Sequence, residues 1–184
     1  MPSGRLRDHA SPDMTGLVRI EPLRLAWIEA LIAGDDVFTE RFAIPVVDGW
    51  AGFPEALAPA RDAARRHDAD PWGSQLIFDQ ADGALVGFGG FKGAPTDGEV
   101  EIGYAIAPER QGRGLATAAV RVMIERARAA GVRVVVAHTL AEPNPSTSVL
   151  TRCGFARASA LVDENLGSEV WRWELHLSRP STSA

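Results

Sequence analysis

The residues Gln111-Gly-Arg-Gly-Leu-Ala116 have the types and spacing to bind an anion. Gly112 and Gly114 leave the backbone N–H groups around them uncovered by side chains. An alanine-rich helix predicted to start at about Leu115 adds the partial positive charge of its N-terminus. A strand runs into this turn: Val100, Ile102, Tyr104 and Ile106 alternate with Glu101, Gly103 and Ala105. Pro108, which has no N–H to give a ladder, ends it. The predicted ligand is a phosphate. A P-loop does not fit, because it ends in Gly-Lys-Ser/Thr and Gly114 is followed by Leu115 and Ala116. A dinucleotide fingerprint fits poorly, because Thr117 stands where its third glycine belongs and the motif lies late in the chain.

Gln111-Gly-Arg-Gly114-Leu-Ala116 resembles the Q/R-x-x-G-x-G/A signature of the GNAT superfamily, the acyl-CoA-dependent N-acetyltransferases. The flanks extend the resemblance. Glu101-Ile-Gly-Tyr-Ala-Ile-Ala-Pro108 is similar to the fourth strand of that fold. A helix and the β-branched run Val132-Arg-Val-Val-Val-Ala137 follow the turn. A second helix, ending Val149-Leu-Thr-Arg-Cys-Gly-Phe155, resembles the family's closing helix with its Gly-Phe stop. The resemblance covers residues 17–177 and is nearest to the Rim-type branch, whose named members acetylate protein N-termini. A bland turn between strand and helix is the alternative, and it would not need the surrounding βαβα pattern.

The resemblance implies a cofactor, acetyl-CoA, and a way of holding it. Backbone amides of Gln111, Gly112, Arg113, Gly114, Leu115 and Ala116 would take the pyrophosphate, with charge-assisted contacts from Arg110 and Arg113. Backbone groups of Tyr104, Ala105 and Ile106 would pair with the pantetheine arm as though it were a strand. Arg152 would reach the 3′-phosphate. Asn144 either contacts the cofactor arm or caps the closing helix, in which Pro145 suits the first position. The family's asparagine belongs one residue earlier, where this chain has Pro143.

The chemistry implied is attack by a neutral amine on the thioester carbon. A protein α-amine, with pKa near ~8, is roughly a tenth neutral at pH 7, whereas a lysine amine must lose a proton at a cost of about 4.6 kcal/mol. An N-terminal acceptor therefore needs only a modest base or a water relay. Glu101 aligns with a fourth-strand glutamate that several relatives use as base, and a partly dry cleft is expected to raise its pKa. An outward glutamate in a salt bridge is the plainer alternative, and Glu99 is a lesser candidate on the same face. Many relatives protonate the leaving thiolate with a tyrosine of the closing helix, but Leu150 holds that position here and Tyr104 is the chain's one tyrosine. Ser146, a water, or no acid at all remains. His138 and Thr139 end the fifth strand near the expected cleft, with a function or ordinary packing both open.

The elements that must position these groups read as α+β. Expected strands at 16–22, 74–79, 85–91, 99–106 and 132–137 precede a final hairpin of 156–162 and 168–177 around Glu164-Asn-Leu-Gly167. Expected helices lie at 23–33, from Asp35, at 54–68, from Leu115 and before Phe155. The resulting fold is a mixed, mostly antiparallel sheet of about seven strands flanked by helices, with the fourth and fifth splayed as the resemblance implies. Gly87, Gly89 and Gly90 suggest a bulge or a close backbone approach. Trp171, Trp173, Leu175 and Leu177 share a strand face and read as core, while Trp50, Phe53 and Trp72 either line the acceptor wall or fill the core.

A chain of 184 residues predicts one domain, 16–177, between tails 1–15 and 178–184. Net charge −5 without a basic block argues against nucleic acid. No apolar run of membrane-span length and no signal-peptide pattern is visible. The single Cys153 leaves no internal disulfide and fits a cytoplasmic protein, and no residue cluster has metal spacing. A homodimer is left open. The expectation is an acetyl-CoA-dependent N-acetyltransferase. Its alternatives are the same fold with another acyl-CoA, such as succinyl-CoA, or a non-catalytic CoA-binding regulatory domain.

Overall fold

The computed structural model describes residues 14–163 and 167–178. Both expected tails lie largely outside them, as do residues 164–166 of the last hairpin turn. A short 3-10 turn leads into β1 (Val18–Pro22), then α1 (Leu25–Ala33), α2 (Asp35–Phe42) and α3 (Leu57–Arg66). The middle runs β2 (Ser74–Asp79), β3 (Leu85–Phe91), β4 (Glu99–Ile106), α4 (Leu115–Ala129), β5 (Val134–Leu140) and α5 (Pro145–Arg152). β6 (Ala156–Asp163) and β7 (Ser168–His176) close the chain.

The seven strands form one sheet in the order β1-β2-β3-β4-β5-β7-β6. Every neighbouring pair is antiparallel except β4 and β5. Side chains that alternate along β2 and β3 feed two separate cores. Leu76, Phe78, Leu85 and Phe88 pack with Trp27, Ile28, Leu31 and Phe38 of α1 and α2. Ile77, Val86 and Phe91 pack on the opposite face with Ala118, Ala119, Met123 and Ile124 of α4. The first core takes residues from β2 and β3 but none from β4, β5 or β7. The sheet face beside β4 and β5 on that side is therefore free to carry charge.

The parallel pair is short. Its register is Glu99↔Val134, Val100↔Val135 and Glu101↔Val136, and there it ends. β4 continues to Ile106 against β3, and β5 continues to Leu140 against β7. The two strands thus part beyond Glu101 and Val136, as the resemblance implied. The ladder of β5 starts two residues later than the β-branched run. Val132 gives its N–H to Ala127 at the end of α4, and Arg133 gives its own to the Gly98 carbonyl.

Other expectations resolve on burial. Trp173 and Leu177 are buried, and Trp171 and Leu175 pack against the same cluster. Trp50 is buried in the α1/α2 core and donates its ring N–H to Asp35 at 3.1 Å. Trp72 packs edge-on against Phe91 at a centroid distance of 4.8 Å, whereas Phe53 is 57% exposed. The β3 glycines mark both expected features. The register shifts between Ile77 and Phe78, and a Cβ on Gly89 would lie 2.8 Å from the Tyr104 Cα and closer still to the Gly103 carbonyl oxygen.

Those neighbours are backbone atoms of a central strand, so they can yield only by moving β4. Gly89→Ala is expected to destabilise the fold by about 1–3 kcal/mol, read as a lower urea midpoint at unchanged m-value.

Candidate active site

The glycine turn follows β4 through a 3-10 turn at Pro108–Arg110. Gln111 closes it, donating its side-chain amide to the Ile106 carbonyl at 3.0 Å and its backbone N–H to Pro108 at 3.2 Å. Gly112 and Gly114 adopt φ of 74° and 80°, in the left-handed region that favours glycine. Gly114 is the N-cap of α4 and supplies no side chain to cap it. The first helical bond is donated by Ala118 to Gly114. Among the described residues, the N–H groups from Gly112 to Thr117 therefore have no acceptor. The uncovered run begins one residue later than expected, since the Gln111 N–H is used within the turn.

Arg110 has aspartate partners of its own. Its guanidinium donates to Asp79 at 3.0 Å and lies 2.8 Å from Asp82. The Asp82 hydrogen bond raises the Arg110 pKa, and Asp82 is itself lowered by the Ala84 N–H and then Arg110. Arg110 fastens the turn to the β2–β3 hairpin through Nη1 and Nη2. Arg113 is 57% exposed, with Asp79 at 3.9 Å.

Beyond Glu101 the β5-facing edge of β4, carrying Tyr104, Ala105 and Ile106, has no strand partner. Tyr104 sends its ring into the core and donates its hydroxyl to the Ser146 carbonyl at 3.3 Å. Burial raises the phenol pKa far above its ordinary value. This contact joins β4 to the first turn of α5 and brings Tyr104 and Ser146 together. Asn144 is a cap: its oxygen accepts the Thr147 N–H at 3.1 Å and its amide donates to Glu142 at 3.0 Å. The Thr147 hydroxyl oxygen accepts in return from the Asn144 N–H, completing a capping box. Arg152 is exposed on the last turn of α5 and borders a groove against β7 with Thr147, Ser148, Thr151, Trp171 and Trp173. Cys153 is half-buried, and burial raises its thiol pKa despite nearby Arg121.

Glu101 faces the side of the sheet that carries α1 and α2, on a part of it that their core does not reach. Its Oε1 is paired with the Lys92 ammonium and with His138 Nδ1, the latter at 2.9 Å. Burial alone would raise this carboxyl's pKa, but the hydrogen bonds and charges of Lys92 and His138 outweigh it and lower the pKa. The expected upward shift is reversed because Lys92 and His138 both hydrogen-bond the carboxylate. Lys92 was not a sequence candidate, although the β3–β4 register that pairs Gly90 with Gly103 also sets Lys92 opposite Glu101. Alongside, Arg172 donates to Glu174 at 2.7 Å and to Glu99 at 3.0 Å. Glu99 is thus a salt-bridge residue.

Among the described residues, no group of three or more metal-ligating side chains converges, and no helix is long and apolar enough to cross a membrane. Residues 18–156 match the Acetyltransferase (GNAT) domain family. The chain is 35% identical to the mycothiol acetyltransferase of Arthrobacter sp. (strain FB24), covering 83% of this chain and 56% of that one. It therefore spans just over half the length of that relative. RimJ of Mycobacterium smegmatis, solved with CoA-disulfide, superimposes with a TM-score of 0.60 at 21% identity over 88% of this chain and 83% of that one. A ribosomal-protein-alanine N-acetyltransferase of Brucella melitensis gives 0.61 at 20% identity over 86% and 99%.

Two outcomes follow from these contacts. Asn144→Ala should cost about 1 kcal/mol in chemical denaturation, because it removes a helix cap. Glu101, with its folded pKa below the unfolded value, stabilises the fold above the unfolded pKa and loses that contribution as pH falls through the folded one. Glu101→Gln is therefore expected to lower the denaturation midpoint at pH 7, with the gap to wild type closing as pH falls below the ordinary carboxylate range.

Proposed function

The chain belongs to the GNAT acetyltransferase family, and from that premise we propose that it transfers an acetyl group from acetyl-CoA to a primary amine by direct attack in a ternary complex. One observation carries the proposal: the unpaired β4 edge leads, through one 3-10 turn, to the uncovered amides of Gly112 to Thr117. A ligand with a peptide-like arm and a pyrophosphate at one end satisfies both sets of groups at once.

On this proposal Tyr104, Ala105 and Ile106 hold the pantetheine arm through their backbone. Gly112, Arg113, Gly114, Leu115 and Ala116 hold the pyrophosphate through their amides, and Gln111 holds the turn that presents them. Arg113, with most of its side chain in solvent, supplies the charge that Arg110 has committed elsewhere. Arg152 serves the 3′-phosphate from the end of α5. The thioester carbon then sits near the mouth of the splay, within reach of the Lys92–Glu101–His138 cluster. Proton transfer from the attacking amine is assigned to that cluster, and protonation of the leaving thiolate to Ser146, whose carbonyl accepts from the Tyr104 hydroxyl. The acceptor is a protein N-terminus or a small amine. The Brucella relative is named for N-acetylation of a ribosomal protein's alanine, and the Arthrobacter relative for mycothiol. A single domain over 16–177 would contain the whole of this machinery.

Thiol release from acetyl-CoA with a panel of peptide N-termini and small amines tests the proposal directly. Release with one or more amines is expected, and tight CoA binding with no release would make the chain a binding module. Glu101→Gln should cut turnover about 10²-fold or more while leaving CoA affinity nearly intact. Gly112→Val forces a β-branched residue to positive φ beside the amides, and calorimetry should show CoA affinity falling about tenfold or more.

A further inference from the structure

His138 lies on β5 two residues past Val136, the last residue of that strand paired with β4. It therefore stands at the mouth of the splay. Its ring is 24% exposed, and Nδ1 is fixed at 2.9 Å from Glu101 Oε1. Among the described residues Nε2 has no hydrogen-bond partner, and no buried side-chain nitrogen or oxygen lacks one, so Nε2 is open to solvent. Glu101 is poorly suited to take a proton itself. Its oxygen already accepts from Lys92 and His138, and those charges favour the ionised form. The imidazole is better suited, because one ring nitrogen is left unused and a neutral imidazole accepts a proton there.

Resting on the acyltransfer proposed above, we propose that His138 is the catalytic base and that Glu101, held by Lys92, is the residue that positions it. Glu101 accepts the Nδ1–H, which fixes the neutral tautomer with its lone pair on Nε2. The acceptor nitrogen attacks the thioester carbonyl carbon, forming the N–C bond. The C–S bond breaks and its electron pair leaves on sulfur as the CoA thiolate. The proton lost by the amine goes to Nε2 and from there to solvent. The charged groups facing this imidazole are Lys92 from the end of β3, Glu99 and Glu101 from β4, and Arg172 and Glu174 from β7. Arg172 is directly opposite His138 in the β5–β7 register, and its guanidinium is balanced by Glu99 and Glu174.

The test begins with wild-type thiol release across an amine panel, and its absence with every amine overturns the acyltransfer reading and the base with it. With release measured, His138→Asn is expected to lower kcat about 10²-fold or more, leave KM for acetyl-CoA within about twofold, and abolish the acidic limb of the kcat/KM–pH profile. Glu101→Gln is expected to lower kcat yet keep that limb, because it removes the group that orients the imidazole and leaves the base itself in place. A limb that survives His138→Asn and vanishes in Glu101→Gln would make Glu101 the base and overturn the assignment, as would an unchanged rate in His138→Asn. Should either variant misfold, nitrogen-15 NMR of the wild-type imidazoles decides. The Nδ1–H tautomer at His138 above neutral pH is expected, and the Nε2–H tautomer would overturn the proposal.

Discussion

β4 and β5 are hydrogen-bonded over three residue pairs and then separate in the middle of the sheet. That separation is the constraint on which the rest depends. Backbone N–H and C=O groups away from water need partners, and a central strand is normally paired on both edges. Here β4 keeps β3 on one side and has no strand on the other from Ile102 onward. The gap is held open from both ends. Tyr104 reaches from β4 to the first turn of α5, and the capping box fixes where that turn begins. The glycine turn follows that edge through a 3-10 turn and leaves its amides uncovered.

The two sheet faces share the work unequally. One side of β4 sends Val100, Ile102 and Ile106 into the core beneath α4. The other presents Glu99 and Glu101 to a surface that the α1/α2 core does not reach. Strand periodicity alone makes this possible, because successive side chains point to opposite faces. Charges on that face occur as matched groups. Lys92 and His138 meet Glu101, while Arg172 lies between Glu99 and Glu174. Few of these pairs would add much stability at a solvated surface. Their effect is on protonation: Lys92 and His138 outweigh burial and lower the Glu101 pKa.

Much of the framework was legible in local pattern. The bounds of β2, β3 and β4 follow from period-two alternation between turn residues, and the start of α4 follows from Gly114. Tertiary packing overrode local pattern in a few places. Val132 reads as strand by its β-branched side chain, yet its N–H closes the end of α4. Trp50 reads equally as pocket wall or core, and its burial in the α1/α2 core comes from contacts distant in sequence. Arg110 reads as a phosphate contact because it adjoins the glycine turn, but the β2–β3 hairpin brings Asp79 and Asp82 to it.

The amino-acid sequence by itself determined the family, the strand–turn–helix that offers its amides to an anion, and the strand that carries Glu101. These depend on residue type and short-range spacing: glycine at positive φ, proline without an N–H, alternation of apolar side chains. Only the tertiary structure decided which groups share a proton. Glu101 meets His138 across 37 positions of sequence and Tyr104 meets Ser146 across 42. Nothing local encodes either meeting. Both follow from where a parallel pair of strands stops, and that is fixed by the packing of the helices and the register of the whole sheet.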